Sequence, residues 1–507
     1  MEDEVNVKHE ISDWTDRFRG TQGVSLNPEN VTKYWNNQTP YSGTNKFTDS
    51  LFPADRESIL SSRGLWNKNH QDQLVSYQFD YARPETFLNT EDYVVFDDKV
   101  TFSDVKQGYL GDCYYLAALA ALTEFPGLIN SNFKNGGARS QNGYYEILMF
   151  IDEEWQIVIV DDLIPRIQGH RRPCFADSDP RNVIWPMLLE KAWAKINGGY
   201  ANITGGKSCW PFHILTGFPS SIYYNQQFRN KDDLWRLLKS CDRRSEIMVS
   251  GSCKQGNGIV PGHAYTLISV TEIDNDSEPL RLVCLRNPWG RGEWSGDYSD
   301  DSNTWTPELR KKLNVVRSND GIFWMSFDDY FDYYNELNVA HSPNYFKGIN
   351  IFSHTDHLPK VYNLLANGPI TLSTNIITHN SDFPVSIFIC NYGNYNMKNV
   401  NSCYIYQNNS GTIHNLHSGH YLVGVYPHED SGKPYQVRFS CNGNYILKSN
   451  YSYDKEHCLL SHIKSMGLEE NYTVLKDVIS LIYLIVKMVQ TIAIRTFVVI
   501  LTKDNSQ

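Results

Sequence analysis

No two cysteines in this 507-residue chain are spaced Cys-x-x-Cys; the ten are scattered between positions 113 and 458. That argues against a structural zinc site, and the density is too low for a disulfide scaffold. No Lys/Arg-rich run occurs, and 46 basic residues against 57 acidic ones leave a net charge of −11. A nucleic-acid partner is therefore not expected, since phosphate tracking needs a basic surface. The start, Met1-Glu2-Asp3-Glu4-Val5, has no apolar signal region, which predicts a cytoplasmic, reducing setting where thiols stay free. Long hydrophobic runs are missing too. In the apolar tail 478–501 the longest uncharged stretch is 9 residues, ending at Lys487, against the ~20 that span a bilayer. Buried strands or a core helix are expected there, with membrane association through the C-terminal region as the lesser alternative. No internal repeat is visible.

Hydrophobic residues make up 41% of the chain and aromatics 13%, enough to build cores in two to four domains. The most informative segment is Gln107-Gly108-Tyr109-Leu110-Gly111-Asp112-Cys113-Tyr114, which runs into Tyr115-Leu116-Ala117-Ala118-Leu119-Ala120-Ala121-Leu122. It puts a cysteine at the start of a strongly helical stretch. The partial positive charge of a helix N-terminus favours a thiolate there, which predicts a thiol more acidic than free cysteine. Taken alone, Gly-Asp-Cys before a helix is more often a buried core cysteine.

A cysteine nucleophile needs a base and a group to orient that base. Gly262-His263-Ala264-Tyr265-Thr266-Leu267-Ile268 opens one strand-like stretch, and a second ends in Arg286-Asn287-Pro288-Trp289-Gly290. Pro288 biases Asn287 toward extended backbone. The Asn287 amide is expected to accept from one imidazole nitrogen, turning the other toward the sulfur, with Trp289 covering the bond from water. His263 follows Cys113 by 150 residues and Asn287 follows His263 by 24. That order and spacing match the papain-like arrangement, in which His and Asn lie roughly 130–150 residues past the cysteine.

These segments resemble the signature motifs of the calpains, calcium-dependent cysteine proteases. Leu188-Leu189-Glu190-Lys191-Ala192-Trp193-Ala194-Lys195-Ile196-Asn197-Gly198, Glu293-Trp294-Ser295-Gly296 and Gly321-Ile322-Phe323-Trp324-Met325-Ser326-Phe327 match as well. The resemblance covers about residues 46–342. It implies an α+β fold, a papain-like two-lobed protease core followed by an all-β sandwich. It also implies Cys113 as nucleophile, His263 as base, Asn287 as orienter and Gln107 as oxyanion-hole donor. The expected activity is intracellular endopeptidase, making limited cuts in protein substrates. The alternatives are a non-catalytic calpain-like scaffold and a papain-like transferase; the Gly-His-Ala-Tyr and Asn-Pro-Trp pairing speaks against the transferase.

The expected organisation is a polar, loosely ordered extension over 1–45 and a catalytic domain over 46–342. Its lobes meet near Gly205-Gly206 (about 46–205 and 206–342). A β-sandwich over 345–450 follows, and 451–507 stays unassigned. In the first lobe, Tyr144–Phe150 and Trp155–Asp161 read as a hairpin. Met187–Asn197 reads as an amphipathic helix whose Lys191 and Lys195 face solvent.

No EF-hand loop occurs. Asp274-Asn275-Asp276 begins like one, but Ser277 and Glu278 follow without the glycine. The small regulatory subunit that pairs with an EF-hand domain is therefore not implied. The resemblance does imply calcium sites within the protease core. Glu293, Asp300 and Asp320 fall on acidic positions in the second lobe, and Asp104 on one in the first. Departures are Val183 and Ile322 where the family carries acids, Phe102 where it carries a site-coupling arginine, and Tyr114 in place of tryptophan. The second site thus reads as mostly kept and the first as damaged.

Overall fold

The computed structural model describes residues 31–60, 77–88, 93–151, 154–178, 182–218, 220–274 and 278–341, and beyond them the strand segments between 348 and 450 together with 499–501. The chain divides into two compact units. One holds the residues up to Phe218 and Tyr223–Ala340; the other holds Pro219–Ile222 and the residues from His341 onward.

In the first unit the helix Cys113–Leu122 is the central element. Alanine and leucine, the strongest helix formers, fill it. Every residue from Tyr114 to Leu122 is buried, so it is apolar all round, as a fully enclosed helix must be. The strand Ala264–Ile273 lies against it, and Thr266 Oγ1 donates to the Ala117 carbonyl at 2.8 Å. That strand belongs to an antiparallel run ordered Tyr334–Ala340, Ile247–Ser252, Ala264–Ile273, Leu280–Arg286, Ile322–Ser326. The expected hairpin forms as Tyr144–Ile151 paired with Glu154–Asp161.

Two expectations are overturned here. Residues 31–45 are not loose: the Ile157 N–H donates to the Lys33 carbonyl at 2.8 Å, and Val31 and Tyr34 pack against Leu148, Ile157 and Ile159. Residues 1–30 lie outside the described residues. The long helix runs Trp185–Ile196, with Pro186 in its first turn where the missing N–H costs nothing. It has no solvated lysine face. Glu190, Lys191 and Lys195 are all buried. Lys195 Nζ donates to Asp49 Oδ2 (2.5 Å), the Ile159 carbonyl (2.6 Å) and Gln38 Oε1 (2.9 Å). Lys191 pairs with Asp161 and donates to the Leu163 carbonyl at 2.7 Å. The helix is enclosed on both faces, and each ammonium survives burial by pairing with a carboxylate and donating to further oxygens, three in all for Lys195 and two for Lys191. Burial still holds the Lys195 pKa below its ordinary value, with Asp49 opposing that shift.

In the second unit two antiparallel sheets form. One is ordered Gly348–His354, Tyr435–Asn442, Ile370–Thr378, Thr412–Leu416. The other is ordered Tyr445–Asn450, Lys360–Ala366, Gly419–Pro427, Val385–Asn391, Ser402–Gln407, Val499–Leu501. Tyr362, Leu364, Leu372, Ile389, Val423, Val437 and Phe439, drawn from both sheets, share one apolar cluster. The strand-like segments expected at 387–389, 403–406, 421–425 and 437–439 all fall within these strands. Of the tail 478–501 only the last three residues are described. Among the described residues no helix is long and apolar enough to cross a membrane.

The buried Lys195–Asp49 contact yields a test. Lys195→Ala leaves Asp49 an unpaired buried charge and is expected to cost about 3–5 kcal/mol in urea denaturation. Lys195→Met with Asp49→Asn should recover most of that loss. A single variant as stable as the parent would contradict the description.

Candidate active site

Cys113 is the first residue of its helix, and its partly exposed thiol lines a cleft of about 510 Å³. The preceding Gly108 is pressed against the backbone. A Cβ there would lie 2.4 Å from both the Cys174 and Phe175 carbonyl oxygens, so only glycine lets the loop pass. The predicted acidification of the thiol does not occur. Burial pushes the Cys113 thiol up to about 11, the Asp112 carboxyl adds to this, and the backbone groups of Ala264, Tyr114 and Cys113 itself pull against it. The desolvation of sulfur outweighs the partial charge of the helix end.

His263 sits just before its strand, after Gly262 at φ +67°. Its Nε2 lies 2.9 Å from Asn287 Oδ1. The amide orientation of Asn287 is fixed from both ends: Nδ2 donates to the Gly292 carbonyl at 2.9 Å, and Oδ1 accepts from the Trp289 N–H at 3.1 Å. Oδ1 therefore accepts from Nε2–H, and Nδ1 keeps its lone pair. The Trp289 ring is 4.7 Å from the imidazole and the Tyr265 ring 5.0 Å, edge-on. Burial lowers the His263 pKa, opposed by the Asn287 bond. Burial thus favours the uncharged form of both thiol and imidazole.

Cys113, His263 and Gln107 all line the same cleft, together with Ala264 and Trp289. The Gln107 backbone N–H donates to the Pro288 carbonyl at 3.0 Å, tying the glycine loop to the Asn-Pro-Trp loop. Its side-chain Nε2 donates to the Leu110 carbonyl at 2.7 Å; this amide therefore keeps one hydrogen uncommitted by that bond. Tyr114 is buried with its hydroxyl accepting from Trp193 Nε1 at 3.1 Å. A Cβ on Gly206 would fall 2.5 Å from the Tyr114 ring. The tyrosine here is closely packed and its hydroxyl is met.

The calcium candidates divide. Glu293 Oε1 accepts the Gly321 N–H at 2.8 Å, Asp300 Oδ2 the Ser318 N–H at 3.3 Å, and Asp320 the Ile322 N–H at 2.9 Å. Burial raises Glu293 to about 7 and Asp300 to about 6, and in both cases Asp320 adds to the shift. Arg310 lies beside Asp300 and partly opposes its shift, donating from Nη2 to the Asp300 carbonyl at 2.6 Å. Asp104 differs. It is fully buried, accepts from Thr101 N–H and Oγ1 at 3.1 Å each and from Trp185 Nε1 at 3.2 Å. Its oxygens are spent inside the protein. Among the described residues no group of three or more His, Cys, Asp or Glu side chains is arranged to hold a metal ion.

Three residues of the site escaped sequence reasoning. Arg286 is buried, donates from Nη2 to the Val105 carbonyl at 2.9 Å and lies 5.4 Å from the Phe102 ring. Phe102, where the resemblance implies arginine, thus receives an arginine from the opposite strand. Asp112 and Glu190 are both buried beside the cysteine helix. Glu190 carried no separate signal, since Lys191 beside it and Lys195 offered a polar face to place it on.

The family described as calpain family cysteine protease matches residues 47–341. The human calpain-1 catalytic subunit is 33% identical over 309 residues, 58% of this chain and 42% of that protein. The calpain-type cysteine protease ADL1 of Oryza sativa subsp. japonica is 33% identical over 315 residues, 59% of this chain and 14% of that protein. Calpain-9 of Rattus norvegicus is 28% identical over 313 residues, again 42% of its length. The matched stretch spans less than half of each of these relatives. With the match covering more than half of the present chain, it belongs to the calpain family of cysteine proteases.

Proposed function

We propose that this chain is an intracellular cysteine endopeptidase that makes limited cuts in protein substrates through Cys113, His263 and Asn287. One observation carries the proposal: the Cys113 thiol and an Asn287-held imidazole open onto the same cleft. An extended peptide in that cleft presents its carbonyl carbon to sulfur. His263 Nδ1 takes the thiol proton as the C–S bond forms. The developing oxyanion meets the Cys113 N–H and the free hydrogen of the Gln107 amide. The imidazolium then protonates the departing amine as the C–N bond breaks, and water hydrolyses the thioester. Asn287 keeps the ring in one tautomer throughout.

The domain assignment stays with this proposal: catalytic domain 46–342, then a β-sandwich over 345–450, favoured by the apolar cluster the two sheets share. Calcium regulation is proposed for the second half only. Glu293, Asp300 and Asp320 offer the oxygen donors a hard cation takes, whereas Asp104 does not. Bound there, the ion would neutralise three crowded carboxylates next to the Asn-Pro-Trp loop. A cytoplasmic location fits the free cysteines, and protein substrates follow from the chemistry.

Casein digestion across a calcium series tests the whole. Cys113→Ala should abolish new peptide termini, and Asn287→Ala should lower kcat about 10²-fold. Cleavage that survives Cys113→Ala rejects the nucleophile, and isopeptide cross-links in place of cleavage would mean a transferase.

Two further outcomes are expected. Because burial raises the thiol pKa, alkylation of Cys113 in His263→Ala should still be rising with pH above the ~8.5 of free cysteine. A plateau already reached at neutrality would contradict the raised thiol pKa. Calcium should raise the Tm of the wild-type chain and leave that of Asp300→Asn/Asp320→Asn unmoved. An equal shift in both would place the ion elsewhere.

A further inference from the structure

Two carboxyls beside Cys113 have no part in the proposed chemistry. Asp112 is 0% exposed and Glu190 2%. The Asp112 carbonyl accepts the N–H groups of Tyr115 (2.8 Å) and Leu116 (3.2 Å), so this residue opens the cysteine helix. Its side chain caps nothing, and neither carboxyl oxygen is met by an N–H or a hydroxyl. What they face is the Glu190 carboxyl. Glu190 Oε1 also accepts the Ala176 N–H at 2.9 Å. Ala176 belongs to the segment that receives the glycine loop: the Tyr109 N–H donates to the Cys174 carbonyl at 2.8 Å. The acid pair therefore ties the helix Trp185–Ile196, the 174–176 segment and the origin of the cysteine helix at one point.

The groups facing the pair are Cys113, Tyr114, Tyr115, Cys174 and Tyr200. All are neutral in their ordinary state. The next residue, Lys191, turns away to Asp161 and the Leu163 carbonyl. Two carboxylates in contact, buried and without a cation, cannot both be ionised. A single proton between them supplies the donor that the Asp112 oxygens otherwise lack.

We propose that Asp112 and Glu190 share one proton in a buried hydrogen bond, forming a positioning pair that fixes the start of the cysteine helix and holds the charge beside the Cys113 thiol at one. This rests on the cysteine-peptidase reading of Cys113. Burial raises both acids, Asp112 to about 7 and Glu190 well above the ordinary carboxylate range, and the Asp112 charge adds to the rise of Glu190. With folded pKa values raised, the contribution of the pair to stability is full below the ordinary carboxylate range and falls as pH rises through about 7. Loss of the shared proton also places a second negative charge beside the sulfur and opposes the thiolate.

The test reads iodoacetamide alkylation on the Cys113 peptide by mass spectrometry, in a His263→Ala background so that no imidazole titrates in the same range. The quantity is the ratio of rates at about pH 8.5 and about pH 5.5. Glu190→Gln donates permanently to Asp112 and holds the charge at one, and Asp112→Asn does the reverse; each is expected to raise the ratio several-fold over the parent. The parent's own profile should rise less steeply than a single thiol titration once the pair loses its shared proton, a readout that needs no variant beyond the background. Ratios equal to the parent's, or a parent profile following one smooth titration, overturn the proposal. Casein cleavage by the wild-type chain separates the two readings. A changed ratio without cleavage keeps the pair and sinks the peptidase; cleavage with an unchanged ratio does the opposite.

Discussion

The structure depends on one junction, where the strand Ala264–Ile273 rests on the helix Cys113–Leu122. Cys113 and His263 come from segments 150 residues apart, and the proposed chemistry needs both. Thr266 to the Ala117 carbonyl, Arg286 to the Val105 carbonyl and Gln107 to the Pro288 carbonyl are the polar ties that hold the junction. Each is a hydrogen bond of ordinary worth, about 1 kcal/mol net. The larger contribution is the apolar burial around them, with nine consecutive residues of the helix enclosed. Chemistry then reduces to which proton sits on which atom in a nearly dry cleft.

Dryness also explains the resting state. Burial raises the thiol and lowers the imidazole, so both shifts favour the uncharged forms. On the proposed reading a substrate meets a thiol and an imidazole whose burial opposes charge on both. The same burial sets the Asp112 and Glu190 carboxyls against each other and makes each buried lysine of the long helix pair with a carboxylate and a carbonyl oxygen. These features share one cause: polar groups stay in this interior only when a partner satisfies them.

Much of this was legible in the sequence. The motif around Cys113, the Gly-His-Ala-Tyr start and the Asn-Pro-Trp end are local patterns, and the structure brings them to one cleft as their order suggested. The hairpin and the strands between 387 and 439 were also readable, because alternation and turn residues are local signals. Burial was not. Lys191 and Lys195 looked solvated because charge normally marks a surface, and only tertiary packing shows the 31–49 segment and Asp161 closing over them. The thiol pKa was misjudged for the same reason: a helix end is visible in a sequence, the desolvation of its first side chain is not. Asp104 matched an acidic position by alignment, yet its oxygens are taken by Thr101 and Trp185, contacts no linear pattern reveals.

The account is tested most directly by a peptide-based thiol electrophile applied to the whole chain, with the adduct mapped by mass spectrometry. The expected result is a single adduct on Cys113, displaced by casein and slowed in His263→Ala. An adduct spread over other cysteines, or one on Cys113 that neither casein nor the histidine affects, would contradict a nucleophile paired with its base across the cleft.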